Sequence, residues 1–123
     1  MTTGLARSGF DLDLRHGEAR EDALVYILLK ARVECKSDSQ CKTTGNVFLE
    51  YKLKGKPSGL SVTTADWWAI EYDTDSWLIM PTWRLKEAAK KAYKAGKVVR
   101  GGDCDQSEGV LIPIEWLVKG EKK

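Results

Sequence analysis

With 123 residues, 42% hydrophobic and 31% charged, the chain has material for one compact domain with a single core, not for two ordinary ones. No stretch approaches the roughly 20 consecutive apolar residues of a membrane helix, and Met1 to Arg15 lacks the apolar centre of a secretory signal, so a cytoplasmic protein with no membrane partner is expected. The formal net charge of +2 decides little, but its distribution is uneven: from Arg84 to Arg100, seven basic residues face a single acid, Glu87.

In chain order, apolar residues at Ala23, Leu24, Ile27 and Leu28 follow helical spacing and predict a helix from His16 to Lys30, with Gly17 at its entry and acids in its first turn. Arg32 to Ser37 alternates Val33 and Cys35 against Glu34 and Lys36, and Val47 to Leu53 alternates in the same way. The polar connection between them, with Thr43, Thr44, Gly45 and Asn46, predicts an antiparallel hairpin. A turn at Gly55 to Gly59 follows, then strands at Trp67 to Tyr72 and Trp77 to Met80 around a turn at Asp73 to Asp75. Thr82 reads as the N-cap of a second helix that ends at Gly96. Short strands at Val98 and Val99 and from Val110 to Ile114 flank a turn at Gly101, Gly102 and Asp103, where Asp103 reads as a turn acid. This order of elements favours a mixed α/β or α+β domain with helices on a central sheet.

Cys35, Cys41 and Cys104 cannot all pair within one chain and match no common zinc spacing, and the lone His16 is far from them in sequence, so reduced thiols are expected. Cys35, inside an alternating run, reads as a small core residue.

Period-two geometry puts Glu34, Lys36 and Asp38 on one face of the first strand and Glu50 and Lys52 on one face of the next. A solvated hairpin with weak cross-strand ion pairs would account for these five groups. Phe48, however, shares Glu50's face, and carboxylates buried beside an aromatic are unfavourable unless a metal or a cation compensates. Carboxylates holding Mg²⁺ beside a lysine suit phosphodiester hydrolysis, because the metal is a Lewis acid and lowers the pKa of its water.

Several strings together resemble the PD-(D/E)XK nuclease superfamily, and in particular its small single-domain members encoded by tailed phages. They are Gly17 to Glu21, Val33-Glu34-Cys35-Lys36-Ser37-Asp38, Thr44-Gly45-Asn46-Val47-Phe48-Leu49-Glu50-Tyr51-Lys52, Lys56-Pro57-Ser58-Gly59-Leu60, Thr63 to Trp68, Gly101-Gly102-Asp103 and Leu111-Ile112-Pro113. The likeness covers residues 10 to 117. It implies a restriction-endonuclease-like core, a central mixed β-sheet flanked by helices, and Mg²⁺- or Mn²⁺-dependent cleavage of DNA, in the host cytoplasm if the chain is phage-encoded.

Carried over residue by residue, the likeness makes Asp38 and Glu50 metal ligands, with Glu34 in reserve and Glu21 an outer or second-metal carboxylate. Lys36 or Lys52 would orient phosphate and water. The chain departs from the plain pattern in offering two Glu-X-Lys strings and no Pro-Asp dipeptide, which leaves the division of roles open. Thr44, Asn46, Ser58 and Thr63 are candidate phosphate contacts, although turn chemistry explains these residue types equally well. Lys90, Lys91 and Lys94 are candidate contacts to a nucleic-acid backbone, or simply a solvated helix face. Trp67, Trp68, Trp77, Trp83 and Trp116 could stack on bases, but core packing suits most of them better. By analogy alone, so small a nuclease would act as a homodimer to cut both strands. The rival reading is a non-catalytic nucleic-acid-binding module that keeps the fold; a nuclease acting on RNA is a third.

Overall fold

A computed structural model of the chain describes residues 9–101 and 106–119, which fall into two units, Met1–Arg32 and Val33–Lys123. The described part of the first unit is helix α1 (Gly9–Leu29) and its short exit. It begins before Gly17 rather than at it, because an exposed interior glycine costs a helix only about 1 kcal/mol relative to alanine. Glu18 and Glu21 are therefore mid-helix residues, beyond the reach of the N-terminal dipole. Leu24, Val25, Tyr26, Leu28 and Leu29 are exposed.

The second unit runs β1 (Val33–Ser37), α2 (Cys41–Thr44), β2 (Asn46–Leu53), β3 (Lys56–Pro57), a 3₁₀ turn (Gly59–Ser61), β4 (Trp67–Asp73), β5 (Ser76–Pro81), α3 (Thr82–Lys94), β6 (Val98–Gly101), β7 (Ser107–Pro113) and α4 (Ile114–Val118). It is a mixed α+β arrangement, with the strands divided between two hydrogen-bonded sheets of order β1-β4-β5 and β3-β2-β7-β6. One core serves both: Val47, Leu49, Val110 and Ile112 from the larger sheet join Trp68, Ile70 and Met80 from the smaller, closed by Leu85 and Ala92 of α3 and Leu117 of α4.

The expected β1–β2 hairpin does not form. β1 pairs in parallel with β4, Glu34 opposite Trp68 and Lys36 opposite Ile70, while β2 pairs antiparallel with β7, Glu50 opposite Gly109. The connection that reads as a hairpin loop is helical over Cys41–Thr44 and ends on Gly45 in the left-handed region at φ 76°. The buried Cys41 anchors it, and the chain leaves the first sheet for the second. Cys35, by contrast, is exposed; of the described cysteines it is Cys41 that lies in the core. Burial pushes the Cys41 thiol pKa up, assisted by the negative charges of Asp38 and Asp73.

Helix α3 matches the sequence reading closely and closes with Gly96 at φ 79°. Its N-cap residue is Pro81 rather than Thr82. Thr82 donates its hydroxyl to the Ala65 carbonyl at 2.7 Å, tying the helix start to the loop before β4. Gly102, Asp103 and Cys104 lie outside the described residues.

Candidate functional site

Asp38 follows directly on β1, and its N–H extends the ladder by donating to the Glu71 carbonyl at 3.0 Å. One carboxylate oxygen accepts from the Gln40 N–H at 3.1 Å, making the local turn that opens α2. The other accepts from the Phe48 N–H at 2.9 Å, on the edge of β2 that β7 leaves free. A single side chain thus stands in for a missing strand and joins the ends of the two sheets.

Glu50 occupies the same strand two residues further on, a rise of about 7 Å. Val47 and Leu49 are fully buried, so alternation turns Phe48 and Glu50 to the opposite face, where both are half-buried. Ser58 Oγ donates to Glu50 Oε2 at 2.8 Å, and Ser107 Oγ donates to Oε1. The Lys56-Pro57-Ser58-Gly59 string builds the first of these contacts. Lys56 and Pro57 pair with Leu53 and Lys52, and the Ser58 N–H bonds the Tyr51 carbonyl at 3.0 Å. Gly59, at φ 51°, lies so close to β2 that a Cβ there would meet the Glu50 carbonyl oxygen at 2.3 Å. The hydroxyls of Ser107 and Ser58 hold the Glu50 carboxyl pKa below its ordinary value, against the opposing effect of partial burial, and the Lys36 ammonium adds to the lowering.

Lys36 reaches this face although its strand lies in the other sheet. Its ammonium sits 5.9 Å from the centre of the Phe48 ring. Lys36, Asp38, Phe48 and Arg100 line a cleft of about 430 Å³. Arg100 also lies 3.9 Å from Glu108. Lys52 is placed differently. A β-bulge between Glu50 and Lys52 interrupts the ladder with β7, so alternation does not set Lys52 beside Glu50 as the sequence suggests.

Glu34 lies on β1 two residues before Lys36 and accepts the Thr63 hydroxyl at 2.8 Å. Glu21 is an exposed residue of α1, in the first unit, whereas Asp38, Glu50 and Lys36 all belong to the second. Ser58 and Thr63, candidate phosphate contacts by sequence, therefore spend their hydroxyls on the carboxylates of Glu50 and Glu34. Thr44 bonds the Gln40 carbonyl and the Asn46 N–H, a turn role, and Asn46 opens β2 opposite Pro113.

Of the α3 lysines, Lys91 lies 4.3 Å over the Trp116 ring, whereas Lys90 and Lys94 are exposed. Trp68 is buried and Trp116 packs against the core, as expected of them, but Trp77 and Trp83 are exposed. Sequence reading missed Ser107 and gave Arg100 no individual role. Nothing local marks Ser107, which approaches Glu50 only through the β2–β7 pairing. Arg100 was visible only as the last member of the basic run.

Among the described residues, no three His, Cys, Asp or Glu side chains converge as an all-protein metal cage would need. Mg²⁺ does not require one, since it binds through one or two carboxylates plus water and substrate phosphate. Asp38 and Glu50 each accept two hydrogen bonds, and an ionised carboxylate offers about four lone-pair positions. Each therefore keeps acceptor positions for a cation, as an open site of that kind requires. No family model matches the chain, and neither does any curated protein or solved structure.

Proposed function

We propose that this chain is a metal-dependent nuclease that hydrolyses DNA phosphodiesters, with Asp38 and Glu50 holding Mg²⁺ or Mn²⁺ and Lys36 beside them, on a restriction-endonuclease-like core of the PD-(D/E)XK kind. The observation that carries it is the state of Glu50. A structural carboxylate on a sheet face needs no buried serine from one strand, no glycine-tight turn from another and no lysine from a second sheet, yet Glu50 has all three.

A metal bound by these acids would supply Lewis-acid stabilisation of charge on the phosphate and a water of lowered pKa. The chain's own groups do the rest. Ser58 and Ser107 keep Glu50 ionised and fix its rotamer. The Phe48 and Gln40 N–H groups fix Asp38. Lys36 and Arg100, facing the same cleft as Asp38, neutralise and orient a phosphate there. Lys36 rather than Lys52 is the lysine of the site. Glu34 and Glu21 are reserve carboxylates in this reading, and a homodimer would present two such sites.

Purified protein incubated with supercoiled, linear, single-stranded and branched DNA tests this. Cleavage is expected with Mg²⁺ or Mn²⁺, and none with chelator or with Glu50→Gln, which removes charge at constant volume. The second reading, a nucleic-acid-binding module that does not cut, is favoured by the hydrogen bonds that already occupy both Glu50 oxygens. It prevails if the protein binds DNA but leaves every DNA and RNA form intact in both metals.

A further inference from the structure

The face of β2 opposite Glu50 carries a second concavity. Tyr51, above the buried Leu49, Leu60 and Val110, floors a groove of about 540 Å³ against α3, within the range of small-ligand sites. Its α3 wall is Lys86, Lys90 and Lys94 with Ala89 and Tyr93. The three lysines recur at i, i+4 and i+8, so they form one row along the helix about 12 Å long. Tyr93 is 58% exposed and meets Tyr51 edge to face, ring centres 5.9 Å apart. Tyr51 is fixed in turn by its hydroxyl, which donates to Glu108; burial, and after it this bond, raises the phenol to about 12, so the ring stays neutral at any working pH.

We infer that this groove binds a single-stranded nucleic acid, its bases entering the apolar floor to stack at Tyr93 while successive phosphates track Lys86, Lys90 and Lys94. The charge pattern selects this occupant. A single-headed anionic amphiphile would meet one lysine of the row, whereas a phosphate chain meets each, Lys90 exchanging its exposed 3.9 Å pairing with Glu87 for a phosphate. A duplex keeps its bases stacked inside and has none to offer an apolar floor, while a single strand exposes them to an aromatic platform. The inference rests on the nucleic-acid reading of the chain but not on cleavage, because the groove and Glu50 lie on opposite faces of β2.

The test is fluorescence anisotropy of a labelled twelve-residue oligothymidylate in chelator, against an abasic oligomer of the same length and charge and against duplex. Oligothymidylate should bind about tenfold more tightly than the abasic chain, and Tyr93→Ala should erase most of that difference. Joint replacement of Lys86, Lys90 and Lys94 by glutamine should lower the slope of log affinity against log salt by about 2. Equal binding of the two oligomers, or an unchanged affinity in a folded Tyr93→Ala protein, overturns the inference. So does self-association that Tyr93→Ala abolishes while oligonucleotide binding is untouched, which would assign the groove to a second copy of the chain. Glu50→Gln separates the two proposals: it should leave oligothymidylate binding in chelator intact while ending cleavage. A protein that cuts DNA but binds both oligomers alike loses only the groove.

Discussion

Ser107, buried at the head of β7, donates its hydroxyl hydrogen to Glu50 on β2 across 57 positions of sequence. This contact lowers the Glu50 carboxyl more than any other, with Ser58 next. A group whose folded pKa lies below its unfolded value contributes stability above the unfolded pKa, near 4.5, and loses it as pH falls through the folded value. Ser107→Ala should therefore be less stable than the parent at neutral pH, and the gap should narrow as pH drops below 4. Urea melts at pH 7 and at pH 3 check this; a gap that stays constant with pH would mean that Ser107 contributes only packing.

Lys36 and Lys52 should separate cleanly in activity. The Lys36 charge acts on Glu50 and its ammonium faces the cleft, while the bulge takes Lys52 out of register. Lys36→Ala should reduce cleavage about 100-fold, the scale for losing one preorganised charge partner, and Lys52→Ala should stay within a few-fold of the parent. Equal losses in the two variants would return the choice of lysine to the open state the sequence leaves it in.

The elements were legible where local rules decide them, and the site was legible as a set of residues but not as a geometry. Helix α3 has apolar spacing, a proline before it and a glycine after it, β2 alternates plainly, and the β4–β5 hairpin is two apolar runs around a polar turn. The partner of β1 was not legible. Two alternating strands joined by a short polar segment look like a hairpin, and only the long-range pairing with β4 shows that they belong to different sheets. Alternation likewise cannot reveal a bulge, so Glu50 and Lys52 looked like neighbours on one face. Asp38 is nonetheless tied to the strand that carries Glu50, through the Phe48 N–H rather than through strand pairing.

Gly109 should be as intolerant of a side chain as Gly59. A Cβ at Gly109 would meet the Leu49 carbonyl oxygen at 2.4 Å and the Phe48 ring at 2.7 Å. Gly109→Ala is expected to lower unfolding stability by about 2–3 kcal/mol, the upper range for overpacking. A shift of the urea midpoint at unchanged m-value is the signature. Gly17→Ala, with open space around it in a helix, should instead leave stability unchanged or raise it by up to about 1 kcal/mol.

The two described cysteines should differ in reactivity. Cys35 is exposed, whereas Cys41 is buried and its thiol is held protonated by burial and by the negative charges of Asp38 and Asp73. Iodoacetamide labelling at pH 8, mapped by peptide mass, should modify Cys35 in the native protein and reach Cys41 only as denaturant opens the core. Because Cys41 anchors the turn that carries Asp38 toward Phe48, the denaturant dependence of Cys41 labelling also reports when that junction opens. If it opens as part of the core, Cys41 labelling should follow the global melt. Labelling of Cys41 well before the melt would mean that α2 unfolds on its own, and that the Asp38 end of the site is held by the turn rather than by the core.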